Sequence, residues 1–219
     1  MNIGRSVVRH LNRQEAIYDR WFGSVAAAGF SKEAVFGSMP KWFGLGMTKE
    51  EALAFDLSLR EEFKEDFERL EKGEYDDWRH SSAGVTSLCI LGDQFSRNAF
   101  RGTAKAFSFD AKVLEIVLEG IANKLDEDLP YIVRSFWYMP LEHAEDITMS
   151  KQMLDFFESQ SQTLTGWEKE MAKQHLNYGK KHSVVIEKFG RYPYRNAVLG
   201  RTSTEEEIEY LKTAETFGQ

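Results

Sequence analysis

The stretch Thr48–Gly73, TKEEALAFDLSLREEFKEDFERLEKG, decides the fold class. Ala52, Phe55, Leu59, Phe63, Phe67 and Leu70 recur at intervals of three and four, the period that lines one face of an α-helix. Thr48 and Glu51 make a capping-box pattern, in which each end of the first turn satisfies a free amide of the other. Glu61, Glu62, Lys64, Glu65, Asp66, Glu68 and Arg69 crowd the remaining surface and read as a solvated face. Gly73 supplies the stop. One long amphipathic helix is expected.

The same period extends in both directions. Val7, Leu11, Tyr18 and Trp21 place a first helix over about residues 5–22, followed by an irregular, Gly-containing stretch to Pro40. Trp42 and Phe43, before Gly44, read as core, with an exposed aromatic anchor as the alternative, and His10 and His80 read as surface residues. Downstream, Ser81 or Ser82 caps a helix reaching about Phe95, and another runs from about Phe107 to Ala122. The latter is apolar on most sides and reads as central. Pro130 opens a helix over Tyr131–Tyr138 that Pro140 breaks. A further helix spans about Asp146–Ser159. Thr165-Gly-Trp-Glu168 is a second capping-box pattern, opening a long helix with the stripe Trp167, Met171, His175, Tyr178, His182, Val185 and Phe189. Ser203 or Thr204, followed by three glutamates, starts a last short helix. β alternation is missing throughout. The expected fold is all-α: one domain over residues 1–219, built of stacked antiparallel helix pairs. Residues 1–40 form its N-terminal helix and irregular stretch, and 41–211 its main body.

Composition narrows the function classes. A net charge of -7 argues against nucleic-acid binding, because excess acid repels phosphate. Cys89 is the only cysteine, so no intramolecular disulfide and no multi-cysteine zinc site can form. It lies in the mostly apolar run Val85–Leu91, which suits a buried structural thiol. No run of 18 apolar residues occurs, so no membrane span is expected. A cytoplasmic protein fits these features. The alternative is organelle targeting through the basic start, Arg5, Arg9 and Arg13 with no acid before Glu15.

Three segments concentrate polar groups beside large apolar ones. The first is Asp93-Gln-Phe-Ser-Arg97-Asn98-Ala-Phe-Arg101-Gly102, the second Pro140-Leu-Glu142-His143-Ala-Glu145-Asp146, and the third Phe189-Gly-Arg191-Tyr-Pro193-Tyr-Arg195-Asn196-Ala-Val-Leu-Gly200-Arg201. Each falls at a helix end or in a loop, where functional side chains gather. Asp93 lies at the edge of the face carrying Val85, Leu88, Cys89 and Gly92, and His182 sits inside an apolar stripe. Both need buried partners. Arg97, Arg101, Arg195 and Arg201 offer planar donors that match carboxylates two bonds at a time, and Asp93, Glu142, Glu145 and Asp146 could answer them.

These three blocks, in this order, resemble the bacterial and plant family called domain of unknown function 924. The resemblance runs from about Trp42 to Leu211. It implies an all-helical fold similar to tetratricopeptide-repeat proteins, with stacked antiparallel helix pairs, and no established activity. His143 and His182 match family positions. Family members commonly carry Pro at Ser96, Ser at Ala144 and His at Tyr194. A mechanism needing that serine or that imidazole is therefore closed to this chain.

Three readings of the blocks follow. In the first, the polar groups are scaffolding that staples loops to helix ends. In the second, the chain is a binding module whose pocket is lined by Asp93, Arg97, Asn98, Arg101, Glu142, His143, His182, Arg195, Asn196 and Arg201. That pocket would take a peptide or a small anionic ligand. In the third, His143 is an acid or base tuned by Glu142 or Asp146, with an arginine holding an anionic substrate. No phosphate loop, nucleophile elbow or cofactor motif accompanies them, so no cofactor is expected. Glu142 and His143 are adjacent and point about 100° apart on a helix, which speaks against a metal site. Self-association is left open. All three blocks are expected to converge in space.

Overall fold

Helical periodicity becomes helix over most of residues 13–214, the part of the chain that the structure, a computed structural model, describes. Every regular element among them is helical. From Ser24 onward the α-helices are α1 (Ser24–Ala27), α2 (Lys32–Gly37), α3 (Met39–Phe43), α4 (Lys49–Glu62), α5 (Lys64–Glu71), α6 (Ser82–Cys89), α7 (Ser96–Ala99), α8 (Asp110–Ala122), α9 (Tyr131–His143), α10 (Ile147–Thr163), α11 (Gly166–Phe189) and α12 (Glu205–Leu211). They fall into two compact units. One comprises the residues up to Arg101 together with Lys105–Trp137; the other comprises Gly102–Ala104 and the residues from Tyr138 onward. The first-helix expectation falls partly outside the described residues, as does His10. Residues 13–18 are helical and run into a π-helical turn, Asp19–Gly23.

In the first unit, the Thr48 capping box forms as its sequence requires: Glu51 N–H donates to Thr48 Oγ1 and Thr48 N–H to Glu51 Oε2. The single long helix is instead two, because the backbone departs from helical angles at Phe63 (φ -111°, ψ 16°). The apolar stripe survives the break, with Leu59, Phe63, Phe67 and Leu70 all buried. Asp66 corrects the solvated-face reading. It is 1% exposed, gripped by Arg13 through Nε (2.9 Å) and NH2 (2.5 Å), and accepts a hydrogen bond from the Tyr75 hydroxyl (2.7 Å). A buried carboxylate is tolerable only with such partners.

The central segment is also not the expected one. Residues 84–97 are buried without interruption, across α6, a π-helical turn (Ile90–Phe95) and α7, whereas α8 buries only Val113, Ile116, Val117 and Gly120. Around it Trp21, Phe22, Trp42 and Phe136 pack edge-to-face, and Trp42 Nε1 donates to the Trp21 carbonyl. Trp42 is core as expected, while Phe43 is 40% exposed and stacks on Phe136.

Pro140 does not end its helix; α9 continues through it to His143. A proline there cannot donate to the carbonyl of residue 136. The Cys89 thiol donates to that carbonyl instead, at 3.1 Å, so the acceptor is not left bare.

In the second unit, α10 and α11 form an antiparallel hairpin. Met153 meets Gly179 and Phe157 meets His175, so the residue numbers run in opposite directions along the contact. A β-carbon at Gly179 would stand 2.6 Å from Met153 Sδ, so glycine leaves the room that the buried thioether occupies between the helices. Asp146 caps α10 through the amides of Thr148 and Met149. The expected capping box at Thr165 does not form, because α11 is entered through Gly166 in the left-handed region (φ 59°) and Thr165 makes no side-chain cap bond. The box forms at Thr204 and Glu207. The predicted α11 stripe is displaced as well. Met171, His182 and Val185 are buried, Tyr178 is exposed, and Ala172, Leu176, Gly179, Ser183 and Ile186 complete the inward face.

Candidate functional site

The third block leaves α11 at Gly190, turns once at Pro193–Arg195 and returns to α12. That path lays it against the second block at the end of α9. Tyr192 is the pivot. Its amide donates to Glu145 Oε1 (2.8 Å), and its hydroxyl donates to the Glu142 carbonyl (2.5 Å). Burial pushes the Tyr192 hydroxyl well above the usual phenol range, so it stays a donor.

Arg201 clasps Glu145 with NH1 (2.5 Å) and NH2 (2.9 Å), and NH2 also reaches the Tyr192 carbonyl (3.1 Å). Burial by itself would raise the Glu145 carboxyl; the bonds from Arg201 and the Tyr192 amide outweigh it and hold the group below the usual range. Arg195, 4% exposed, donates to the His143 carbonyl (3.0 Å) and lies over the rings of Tyr192 and Tyr194. Asn196 donates to Ser203 Oγ and to Glu207.

His182 is buried beside this network. Its Nδ1 faces two acceptors, the Tyr178 carbonyl at 3.2 Å and Glu142 Oε1 at 3.5 Å, a setting that suits a neutral ring with its proton on Nδ1. Burial, reinforced by the neighbouring His143, lowers the imidazole to about 3. Such a ring remains neutral across the physiological range and serves as a hydrogen-bonding post.

The first block is answered within the first unit. Arg97 meets Asp110 through both terminal nitrogens, each at 2.9 Å, and Asp93 Oδ1 at 3.1 Å. Gln94 donates to Asp93 (2.6 Å). Arg101 pairs with Asp56 (2.8 Å) and donates to Asn98 (2.7 Å), which itself donates to the Gln94 carbonyl. Of the ten expected pocket residues, Glu142, His143, His182, Arg195, Asn196 and Arg201 are brought together in the second unit. Asp93, Arg97, Asn98 and Arg101 make a network in the first.

Several participants carried no sequence signal. Asp56 and Asp110 are single acids in amphipathic helices, and Glu207 reads as a helix-start acid, yet each is the partner of a block arginine. Among the described residues no cluster of three or more His, Cys, Asp or Glu is arranged to hold a metal ion, and no helix is long and apolar enough to cross a membrane.

An open cleft of about 500 Å³ adjoins the cluster, lined by Glu145, Asp146, Ile147, Ile186, Glu187 and Gly190. A second depression, about 410 Å³, runs along α10 and α11 and shares Ile147 and Glu187 with the first.

Helices alone, with a polar clasp tying loop to helix end, define an all-α helical protein. Its sequence places it further: the chain belongs to the family described as bacterial protein of unknown function (DUF924), whose pattern matches residues 17–215. It is similar in structure to a protein of unknown function, ATU0120 from Agrobacterium tumefaciens, with a TM-score of 0.65 and 29% identity over 83% of this chain and 99% of that one. No curated protein matches it. The family and this solved relative carry no assigned function.

Proposed function

We propose that the chain is a partner-binding helical module whose docking surface is the cleft at the open end of the α10–α11 hairpin, framed by the polar cluster. One observation carries this reading. Glu145 and Asp146 of the second block and Gly190 of the third line the same concave surface, where Ile147 stands 48% exposed. The clasps of Arg201 on Glu145 and Arg195 on the His143 carbonyl then serve to hold the rim in place. Preorganised rims of this kind lower the ordering cost of binding. The small anionic ligand of the sequence reading finds less support, since Arg97, Arg101 and Arg201 each face a carboxylate.

Panning a random-peptide phage library on the purified chain tests the reading. Enriched peptides should lose binding to the Ile147→Asp variant and keep it with Leu53→Asp, a still more exposed apolar position on α4. No enrichment, or binding indifferent to Ile147, overturns it.

A further inference from the structure

We infer that the cleft and the adjoining depression form one groove that takes a basic, apolar-anchored segment of a partner protein. This rests on the docking reading above and names its partner chemistry. The two concavities share Ile147 and Glu187, so they are continuous along the hairpin. From Ile147 to Glu158, α10 runs about 16 Å at 1.5 Å per residue, the span of about five extended residues.

Charge selects the occupant. Among the described residues that line the groove, the carboxylates are Glu145, Asp146, Asp155, Glu158 and Glu187 and the cations Lys151 and Lys180. Arg201 answers Glu145 and Lys151 answers Asp155 at 2.9 Å. The acids beyond these two pairs outnumber Lys180, so an acidic segment or a phosphate would meet net repulsion and a Lys- or Arg-rich one net attraction. The apolar component is present in the same place. Exposed Ile147 stands where both concavities meet, with half-buried Leu154 beside it and buried Leu176 forming the floor. An aliphatic side chain of the partner seated there would be flanked by carboxylates within reach of its basic neighbours. Apart from half-buried Glu145, the carboxylates are exposed, so attraction acts at short range and falls with salt.

The test uses the full chain and three fluorescein-labelled twelve-residue peptides, alternating Leu with Lys, Gln or Glu, followed by anisotropy at 50 and 200 mM salt. The Lys peptide should bind tightest and weaken with salt. Glu158→Lys combined with Glu187→Lys should weaken it by about tenfold. Glu61→Lys combined with Glu65→Lys, which changes net charge equally on the exposed acidic face of α4 and α5, should change it less than twofold. Equal losses in the two double variants, binding of the Glu peptide as tight as the Lys peptide, or no binding of the Lys peptide overturns the inference. If panning instead yields neutral or acidic peptides that depend on Ile147, the docking reading stands and the basic-partner inference alone falls.

Discussion

Arg191 and Glu207, sixteen residues apart, form a two-point clasp: Arg191 Nε lies 2.6 Å from Glu207 Oε1 and its NH2 2.8 Å from Oε2. Glu207 is 2% exposed, and it also accepts from the Thr204 amide and from Asn196. One carboxylate thereby closes a helix cap and anchors the third block to α12.

The Arg191 bonds, helped by those from Thr204 and Asn196, lower the Glu207 carboxyl to about 2. A carboxyl held below its usual value stabilises the fold above about pH 4.5 and loses that contribution as pH falls toward 2. Glu207→Gln should lower Tm at pH 7 by roughly 2–8 °C and flatten the dependence of Tm on pH between 4.5 and 2. Thermal scans across that range check both.

His182 works in the same direction over a different window. Its folded value of about 3 lies below the ordinary 6.5, so the unfolded chain takes the proton first. Stability is full above pH 6.5 and falls on acidification, by up to about 1.4 kcal/mol per pH unit for one proton. His175, lowered by burial to about 4, adds to the slope. Urea midpoints measured from pH 7 to 5 should decline in the parent chain, less in His182→Gln and least with His175→Gln added.

Arg97 sits between Asp93 and Asp110. Arg97→Ala leaves a fully buried carboxylate without its guanidinium and should cost about 3–5 kcal/mol in urea unfolding. Arg97→Lys should restore little, because a single ammonium cannot reproduce the paired bonds to Asp110. Rescue by lysine would show that charge alone matters there.

Gly179→Val should destabilise by about 1–3 kcal/mol, since its side chain would collide with Met153. Adding Met153→Ala should recover part of the loss, and a double-mutant cycle reads the coupling.

Cys89 is fully buried, and burial raises its thiol well above the usual value. A disulfide reagent should therefore react with the native protein only at the rate of unfolding. Cys89→Ala should cost about 1–3 kcal/mol, from the lost side chain and the bare Phe136 carbonyl.

Sequence periodicity made the helices legible, and with them the Thr48 cap, the Leu59–Leu70 stripe, the core role of Trp42 and the burial of Asp93 and His182. The breaks were less so. Phe63 and Gly166 interrupt or alter helices through backbone angles that no apolar pattern encodes. Pro140 is tolerated because a thiol fifty-one positions earlier in the chain serves the carbonyl it abandons. At the candidate site, the blocks announced which residues carry charge but not whom they meet. Asp56, Asp110 and Glu207 are ordinary acids in sequence and become partners of Arg101, Arg97 and Arg191 only through folding.

The sequence by itself determined the helical class, the family and the residues that needed partners, because apolar spacing and buried charge are local or compositional properties. Only the tertiary structure decided the pairing: Arg201 with Glu145, Tyr192 with the Glu142 carbonyl, Gly179 against Met153. Those contacts join residues 26 to 56 positions apart, and which distant donor reaches which acceptor depends on loop paths and helix packing that no local pattern records.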